Sequence, residues 1–368
     1  MAQLTSTLRQ TKPGPKSERR TPDAVVLSGR VLLFTILIVL LLTAVLLNVG
    51  IGAVEIGPGR VLAILASHAG IDLGPTFTTQ QDAVLWAIRL PRVVLTAMVG
   101  AGLAVSGAAL QGVFRNPLAD PGLIGASSGA ALGAIGSIVL GFAPFGLASL
   151  SIFAFLGSLL TTGLVYLLAR FDGRTEVVTL ILTGVALNAV TGAATGFLIY
   201  LADDAQLRTV TFWSLGSAGG ATWRSVGTGL PFILAGLLLL PRWGQALNLL
   251  VLGERESRHL GIETERTRVV LIVLTALMTG AAVAVAGTVG FIGLVVPHLL
   301  RLVAGPDHRM LLPASALGGA TLLLLADLVA RTVVSPAELP LGTVTALAGG
   351  PFFLWLLHHT RRQHGGWG

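Results

Sequence analysis

The chain predicts an all-α polytopic membrane protein, with about ten transmembrane helices in one subunit. Three observations lead there. Of its 368 residues, 53% are hydrophobic and 11% charged, with a mean hydropathy of +0.83, where soluble domains carry about 25% charged residues. Apolar runs of about 20 residues, the helical length that crosses a hydrocarbon core of roughly 30 Å, recur from end to end. Those runs are unbroken rather than alternating, and backbone amides in lipid must bond internally, which selects helices over a barrel.

Ten spans follow, at roughly 31–53, 91–113, 122–142, 148–170, 177–202, 223–241, 269–288, 291–305, 311–331 and 341–359. Before the first lies a basic tail, residues 1–30, whose "KPGPKSERRTP" is polar and Pro-rich as disordered segments are. Arg9, Lys12, Lys16, Arg19, Arg20 and Arg30 precede the first span, and Arg361 and Arg362 follow the last. The positive-inside rule therefore puts both termini in the cytoplasm and makes the number of spans even. No folded basic domain accompanies the tail, so nucleic acid is not an expected partner. The run from Val31 to Val54 is too long for a signal peptide.

Residues 54–90 are then external, with Arg60 and Arg89 their only basic residues. Gly100, Gly102 and Gly107 in the second span, and Gly184, Gly192 and Gly196 in the fifth, form small faces for close helix approach. Between spans two and three, Pro117 and Pro121 disfavour helix at Asn116 and Asp120, so "FRNPLADPG" is a turn, with Asp120 able to cap the next helix. The internal loop 242–268 mixes Arg242, Arg255, Arg258, Arg266 and Arg268 with Leu249, Leu250, Leu252, Leu260 and Ile262. Such mixing predicts one or two short amphipathic helices, which either lie on lipid or dock a partner. The eighth span is short for a full crossing.

No catalytic constellation is present. The seven histidines form no H-E-x-x-H pair, there is no cysteine, and neither lysine, Lys12 or Lys16, sits in a phosphate-binding loop. No catalytic residue, metal site or bound cofactor is expected, and uphill transport would need an ion gradient or a separate ATPase. Ion coupling needs ionisable groups in mid-membrane. Only Asp327, with His298 and Arg301 in the eighth span, offers itself. Asp327 and Arg331 lie four apart on one helix face, as an ion pair, a snorkelling pair or a proton relay.

Four stretches carry a resemblance: "RLPRVVLTAMVGAGLAVSGAALQGVFRNPLADPGLIGASSGAALGA", "GERESRHLGIETERTR", "GTVGFIGLVVPHLLRLVAGPDHRMLLPASALGGATLLLLADLVAR" and "AELPLGTVTALAGGPFFLWLL". In this order the chain resembles the FecCD/BtuC-type permeases, membrane subunits of bacterial ABC importers for iron–siderophore chelates, haem and cobalamin. The resemblance covers about residues 30–362 and implies a type II importer permease domain over 31–362, with 363–368 a short tail. It implies a homodimer in the bacterial inner membrane, two cytoplasmic ATP-binding subunits that use the ATP, and a periplasmic substrate-binding protein. Haem is the solute the motifs favour; a ferric siderophore or cobalamin is the alternative within the family, and an ion-coupled carrier the rival outside it.

The same resemblance assigns roles. Arg89, Arg92 and Arg331 match positions that receive glutamates of the binding protein, though outer-face arginines also meet lipid phosphates. Asn116 and Leu118, with Val178 and Thr179, would form the cytoplasmic gate. Glu254, Arg255, Arg258, Leu260 and Gly261 would couple to the ATPase. Asn188, Thr191 and Thr195 would line the pathway or bond between helices. Arg208 would meet a carboxylate such as a haem propionate, or pack in the dimer.

Overall fold

The computed structural model describes residues 22–52, 54–172 and 174–363. In chain order these form α1 (Pro22–Gly50), α2 (Pro58–His68), α3 (Thr79–Ala83), α4 (Leu90–Val113), α5 (Ala126–Val139), α6 (Ser149–Ala169), a hairpin of β1 (Arg170–Phe171) and β2 (Arg174–Thr175), α7 (Val177–Leu201), α8 (Asp204–Ser214), α9 (Trp223–Leu239), α10 (Gly244–Val251), α11 (Glu254–His259), α12 (Thr264–Ala286), α13 (Ile292–Ala304), α14 (His308–Thr332) and α15 (Leu341–Gln363). The hairpin is antiparallel, with Arg170 opposite Thr175 and Phe171 opposite Arg174. Among the described residues, seven helical segments are long and apolar enough to cross a membrane, and three shorter apolar helices, within α5, α13 and α15, complete ten. They match the ten predicted spans one for one, with corrected ends.

The first correction is at the tail. α1 begins at Pro22 rather than after residue 30, consistent with the fixed φ of proline suiting a first helical turn. Residues 1–21 and 364–368, which hold the rest of the expected tails, lie outside the described residues. The second span also starts early, running without a break from Thr79 to Val113. Thr78 caps it: its hydroxyl accepts from the Gln81 amide, and the Gln81 side chain accepts from the Thr78 amide, both at 3.1 Å. A π-turn over Val84–Arg89 absorbs Pro91. Its bonds reach five residues back, Leu90 to the Leu85 carbonyl, and the next donor would be Pro91, which has none, leaving the Trp86 carbonyl open. The Trp223 indole N–H fills it at 2.8 Å.

The third span is shorter than predicted. A 3-10 turn over Pro121–Ile124 and a left-handed Gly125 (φ 81°) delay the helix until Ala126. α13 is short as expected, about 20 Å at 1.5 Å per residue.

α4 is the buried axis of the bundle, enclosed by α9, α12, α13 and α14. Glycines set how near the neighbours come. A Cβ on Gly100 would stand 2.3 Å from the Gly319 carbonyl oxygen, and one on Gly107 2.0 Å from that of Gly293. Pro297 inside α13 leaves the Gly293 carbonyl without its helical donor. Gln111 of α4 supplies one, its Nε2 donating at 3.1 Å, while its Oε1 accepts from Arg301 at 2.8 Å.

α7 packs differently on its two faces. Leu180, Gly184 and Thr191 are buried, and a Cβ on Gly184 would lie 1.9 Å from the Leu123 carbonyl oxygen. Val178, Leu182, Val185, Val190, Phe197 and Tyr200 are exposed, and Gly192 and Gly196 face open space, so of the predicted glycine trio only Gly184 makes a close approach within this chain.

Candidate functional site

The two ends of α4 organise the candidate residues. At its start, which we call the arginine end, Arg92 is 10% exposed and grips two carboxylates. Nε donates to Asp327 Oδ2 and Nη2 to Asp327 Oδ1, both at 2.9 Å, and Nη1 donates to Glu338 Oε1 at 2.8 Å. Asp327 is 2% exposed and Glu338 43%. Arg89 turns onto the end of α1, donating from Nη1 to the Val49 and Gly50 carbonyls at 2.6 and 3.2 Å, and from Nη2 to that of Val54. Arg331 donates to the Asn48 carbonyl at 2.6 Å. The last carbonyls of a helix lack intrahelical donors and attract positive charge, which is why two guanidiniums collect there.

One expectation is corrected by this geometry. Asp327 and Arg331 do not pair, because Arg92 occupies both oxygens of Asp327. Arg89 and Arg92 are buried and Arg331 is half-buried, each bonded to partners within the chain.

Beyond Val113 the chain turns through a left-handed Arg115 (φ 50°). Asn116 Oδ1 accepts the Leu118 amide at 2.9 Å, an Asx turn, and Asp120 Oδ1 accepts the Gly122 amide at 2.8 Å to start the 3-10 turn. Burial pushes the Asp120 carboxyl above its ordinary range, against the opposing pull of that hydrogen bond. Asn116 and Leu118 are half-buried; at the head of α7, Val178 is exposed and Thr179 donates weakly to Glu176 at 3.5 Å.

Of the pathway candidates, two are occupied. Asn188 donates to the Gly122 carbonyl at 2.9 Å and accepts from the Ser128 hydroxyl at 2.5 Å, fastening α7 to the turn and to α5. Thr191 is buried and bonds back to the Leu187 carbonyl at 2.8 Å. Thr195 is half-buried, and Arg208 is exposed on α8 with one long bond to the Asp204 carbonyl at 3.3 Å.

At the far end of α4, which we call the loop end, the predicted amphipathic segment is two short helices, α10 and α11. On α11 Ser257 is buried, and Glu254 and Arg258 on the same face pair with each other at 3.2 Å. Arg255, Glu256 and His259 are exposed, as are Leu260 and the left-handed Gly261 (φ 85°). A cleft of about 390 Å³ separates α11 from Thr175 and Glu176. Nearby, Asp307 caps α14 by accepting the Arg309 amide at 3.0 Å. The Arg309 guanidinium holds the Asp307 carboxyl down at about 2, aided by Asn248. Among the described residues no three His, Asp or Glu side chains converge as a metal site.

The model of the FecCD transport family matches residues 39–359. The chain belongs to the FecCD family. It is 49% identical over 298 residues to the hemin transport system permease protein HmuU of Yersinia pestis, covering 78% of this chain and 88% of that one. It is 43% identical over 299 residues to the cobalamin import system permease protein BtuC of Halobacterium salinarum, covering 80% and 78%. To the vitamin B12 import system permease protein BtuC of Shigella boydii it is 43% identical over 302 residues, covering 82% and 92%. Among solved structures, a metal-chelate type ABC transporter in an inward-facing conformation superposes with a TM-score of 0.78 at 34% identity, over 89% of this chain and 99% of that one. This FecCD chain is therefore a polytopic ABC importer permease.

In this FecCD permease the loop-end residues come together within one loop, whereas the arginine-end residues are held by partners distant in sequence. Asn48, Glu338 and Gln111 supply further partners at these ends, none of them marked by a motif. Each is a lone polar side chain in or beside an apolar run, and that isolation was the available signal.

Proposed function

We propose that this chain, as a homodimer in a bacterial inner membrane, forms the pathway of an ATP-driven importer that moves haem from periplasm to cytoplasm. The observation that carries the choice of haem is the 49% identity to a hemin permease, set against 43% to the cobalamin permeases. Asp327 supports ATP rather than ion coupling: both its oxygens are held by Arg92, an ion pair that a proton carrier in mid-membrane would have to break.

In this reading the exposed apolar face of α7 meets the second copy and lines the conduit, with Asn116, Leu118, Val178 and Thr179 closing its cytoplasmic mouth. Thr195 and the exposed Arg208 lie along the route, Arg208 suited to a propionate. A periplasmic binding protein docks at the arginine end, where Arg89, Arg92 and Arg331 hold the platform from beneath. Two ATPase subunits dock at Arg255, Leu260 and Gly261, with Glu254 and Arg258 behind them. Both termini are cytoplasmic. The chain itself makes and breaks no bond in the solute and binds no cofactor; ATP is used by the partner subunits.

The test is uptake into proteoliposomes holding the permease and its ATPase, with binding protein outside and ATP inside, comparing haem, a ferric siderophore and cobalamin. ATP-dependent accumulation of haem supports the reading. Accumulation of cobalamin, the second reading that the BtuC relatives favour, or of the siderophore discards haem; uptake in a pH gradient without ATP overturns the class.

A further inference from the structure

The charged network at the loop end extends past α11 into the membrane-spanning body. Its centre is in the first turns of α12, at Glu265 and Arg268. Glu265 Oε1 accepts the Tyr166 hydroxyl at 2.7 Å and the Thr175 hydroxyl at 2.6 Å, and Oε2 accepts the Thr175 amide at 3.2 Å. Arg268, 3% exposed, donates from Nη1 to Glu265 Oε2 at 3.1 Å and to the Thr175 carbonyl, and from Nη2 to Glu254. Arg258 closes onto the other oxygen of Glu254 at 3.2 Å. Two guanidiniums and two carboxylates balance in charge, with Arg268 the deeply buried member and the others partly open to solvent.

The elements joined are as informative as the bonds. Tyr166 is in the last turn of α6, Thr175 ends the hairpin two residues before α7, and Glu254 opens α11. α11 is flanked by Gly253 (φ 118°) and Gly261 (φ 85°), conformations that glycine adopts without strain. Between those glycines, Ser257 ties α11 back to α10 by donating to the Leu249 carbonyl at 2.7 Å, and Glu254 and Arg258 tie it forward to α12. We infer that Glu265 and Arg268 are positioning residues that make α11, the hairpin and the head of α7 move as one body, delivering a displacement of α11 to Val178 and Thr179. The inference rests on α11 being the ATPase-docking element of the proposed function.

The experiment uses the assembled complex with binding protein and measures ATP hydrolysed per haem accumulated. Glu265→Gln keeps the shape and removes the charge; Tyr166→Phe removes one hydrogen bond and nothing else. Glu265→Gln is expected to leave hydrolysis near parental while uptake falls about tenfold, the scale of one lost charge-assisted hydrogen bond; Tyr166→Phe should fall between it and the parent. An unchanged ATP-to-haem ratio overturns the relay, as does a parallel fall of both rates.

The chain has no native cysteine, so spin labels at Phe171→Cys on the hairpin and Glu256→Cys on α11, both exposed, report the body directly. Their separation should be the same with and without trapped ATP in the parent and should differ in Glu265→Gln. A parental separation that changes with nucleotide overturns the relay even where Glu265→Gln does not assemble. Absence of ATP-driven uptake in the parent would instead remove the proposed function, a result the label distances do not depend on.

Discussion

Replacing Arg92 by methionine keeps most of the side-chain length and deletes the guanidinium. Asp327, 2% exposed, then loses all its contacts with Arg92, while Glu338, at 43% exposed, can turn to water. The cost is thus dominated by one stranded buried carboxylate, about 3–5 kcal/mol. Glu338→Gln should cost under about 1 kcal/mol, since its end of the bridge is solvated. The informative variant is the double one: Arg92→Met with Asp327→Leu removes both charges, and well-packed apolar replacements of a buried pair are close to neutral, within roughly 1–2 kcal/mol of the parent. Thermal unfolding of purified protein in detergent, followed by size-exclusion fluorescence, checks the series. Arg92→Met should melt roughly 5–10 °C below the parent, with most of that loss recovered in the double variant. If Arg92→Met melts with the parent, or the double variant melts with Arg92→Met, the buried pair is not what holds α4 to α14 at this end.

Gly107→Ala should destabilise by about 1–3 kcal/mol through overpacking, because its Cβ would meet the Gly293 carbonyl at 2.0 Å; Gly192→Ala, facing open space, is the control, and resistance to protease in detergent reports both. For Asp307, a carboxyl held at about 2 in the folded protein against an ordinary ~3.9 contributes stability that is present above the ordinary value and is lost as pH falls through about 2. Asp307→Ala should therefore lower the melting temperature at pH 6 and narrow its difference from the parent as the pH is taken from 4 to 2.

Composition and run length were enough to reveal the ten spans, because the cost of an unpaired amide in lipid leaves the chain few options. Their ends were less legible. Pro91 marks a break on paper, yet a π-turn and one indole N–H carry the helix through it. Gly192 and Gly196 have the same spacing logic as Gly184, and only the tertiary contact with Leu123 separates them. At the candidate site, the loop holding Glu254, Arg258 and Arg268 could be recognised as a charged unit, since its residues are neighbours in sequence. The pairing of Arg92 could not, because its partners Asp327 and Glu338 are 235 and 246 residues away and no local pattern links them.

The fastening at the end of α1 bears on how the chain is made. α1 is synthesised and inserted first, yet the Asn48 carbonyl waits for a donor 283 residues later, whereas the Val49 carbonyl waits only 40 for Arg89. At translation rates of about 5–20 residues per second, the first partner arrives within several seconds and the second after roughly 15–60 seconds. Until α14 emerges, the end of α1 is held by Arg89 and by the apolar cluster of Ala44 and Val49 with Ile56, Ile64, Leu85 and Val93; Arg331 and the Leu324 carbonyl, which accepts from Asn48, complete the fastening last.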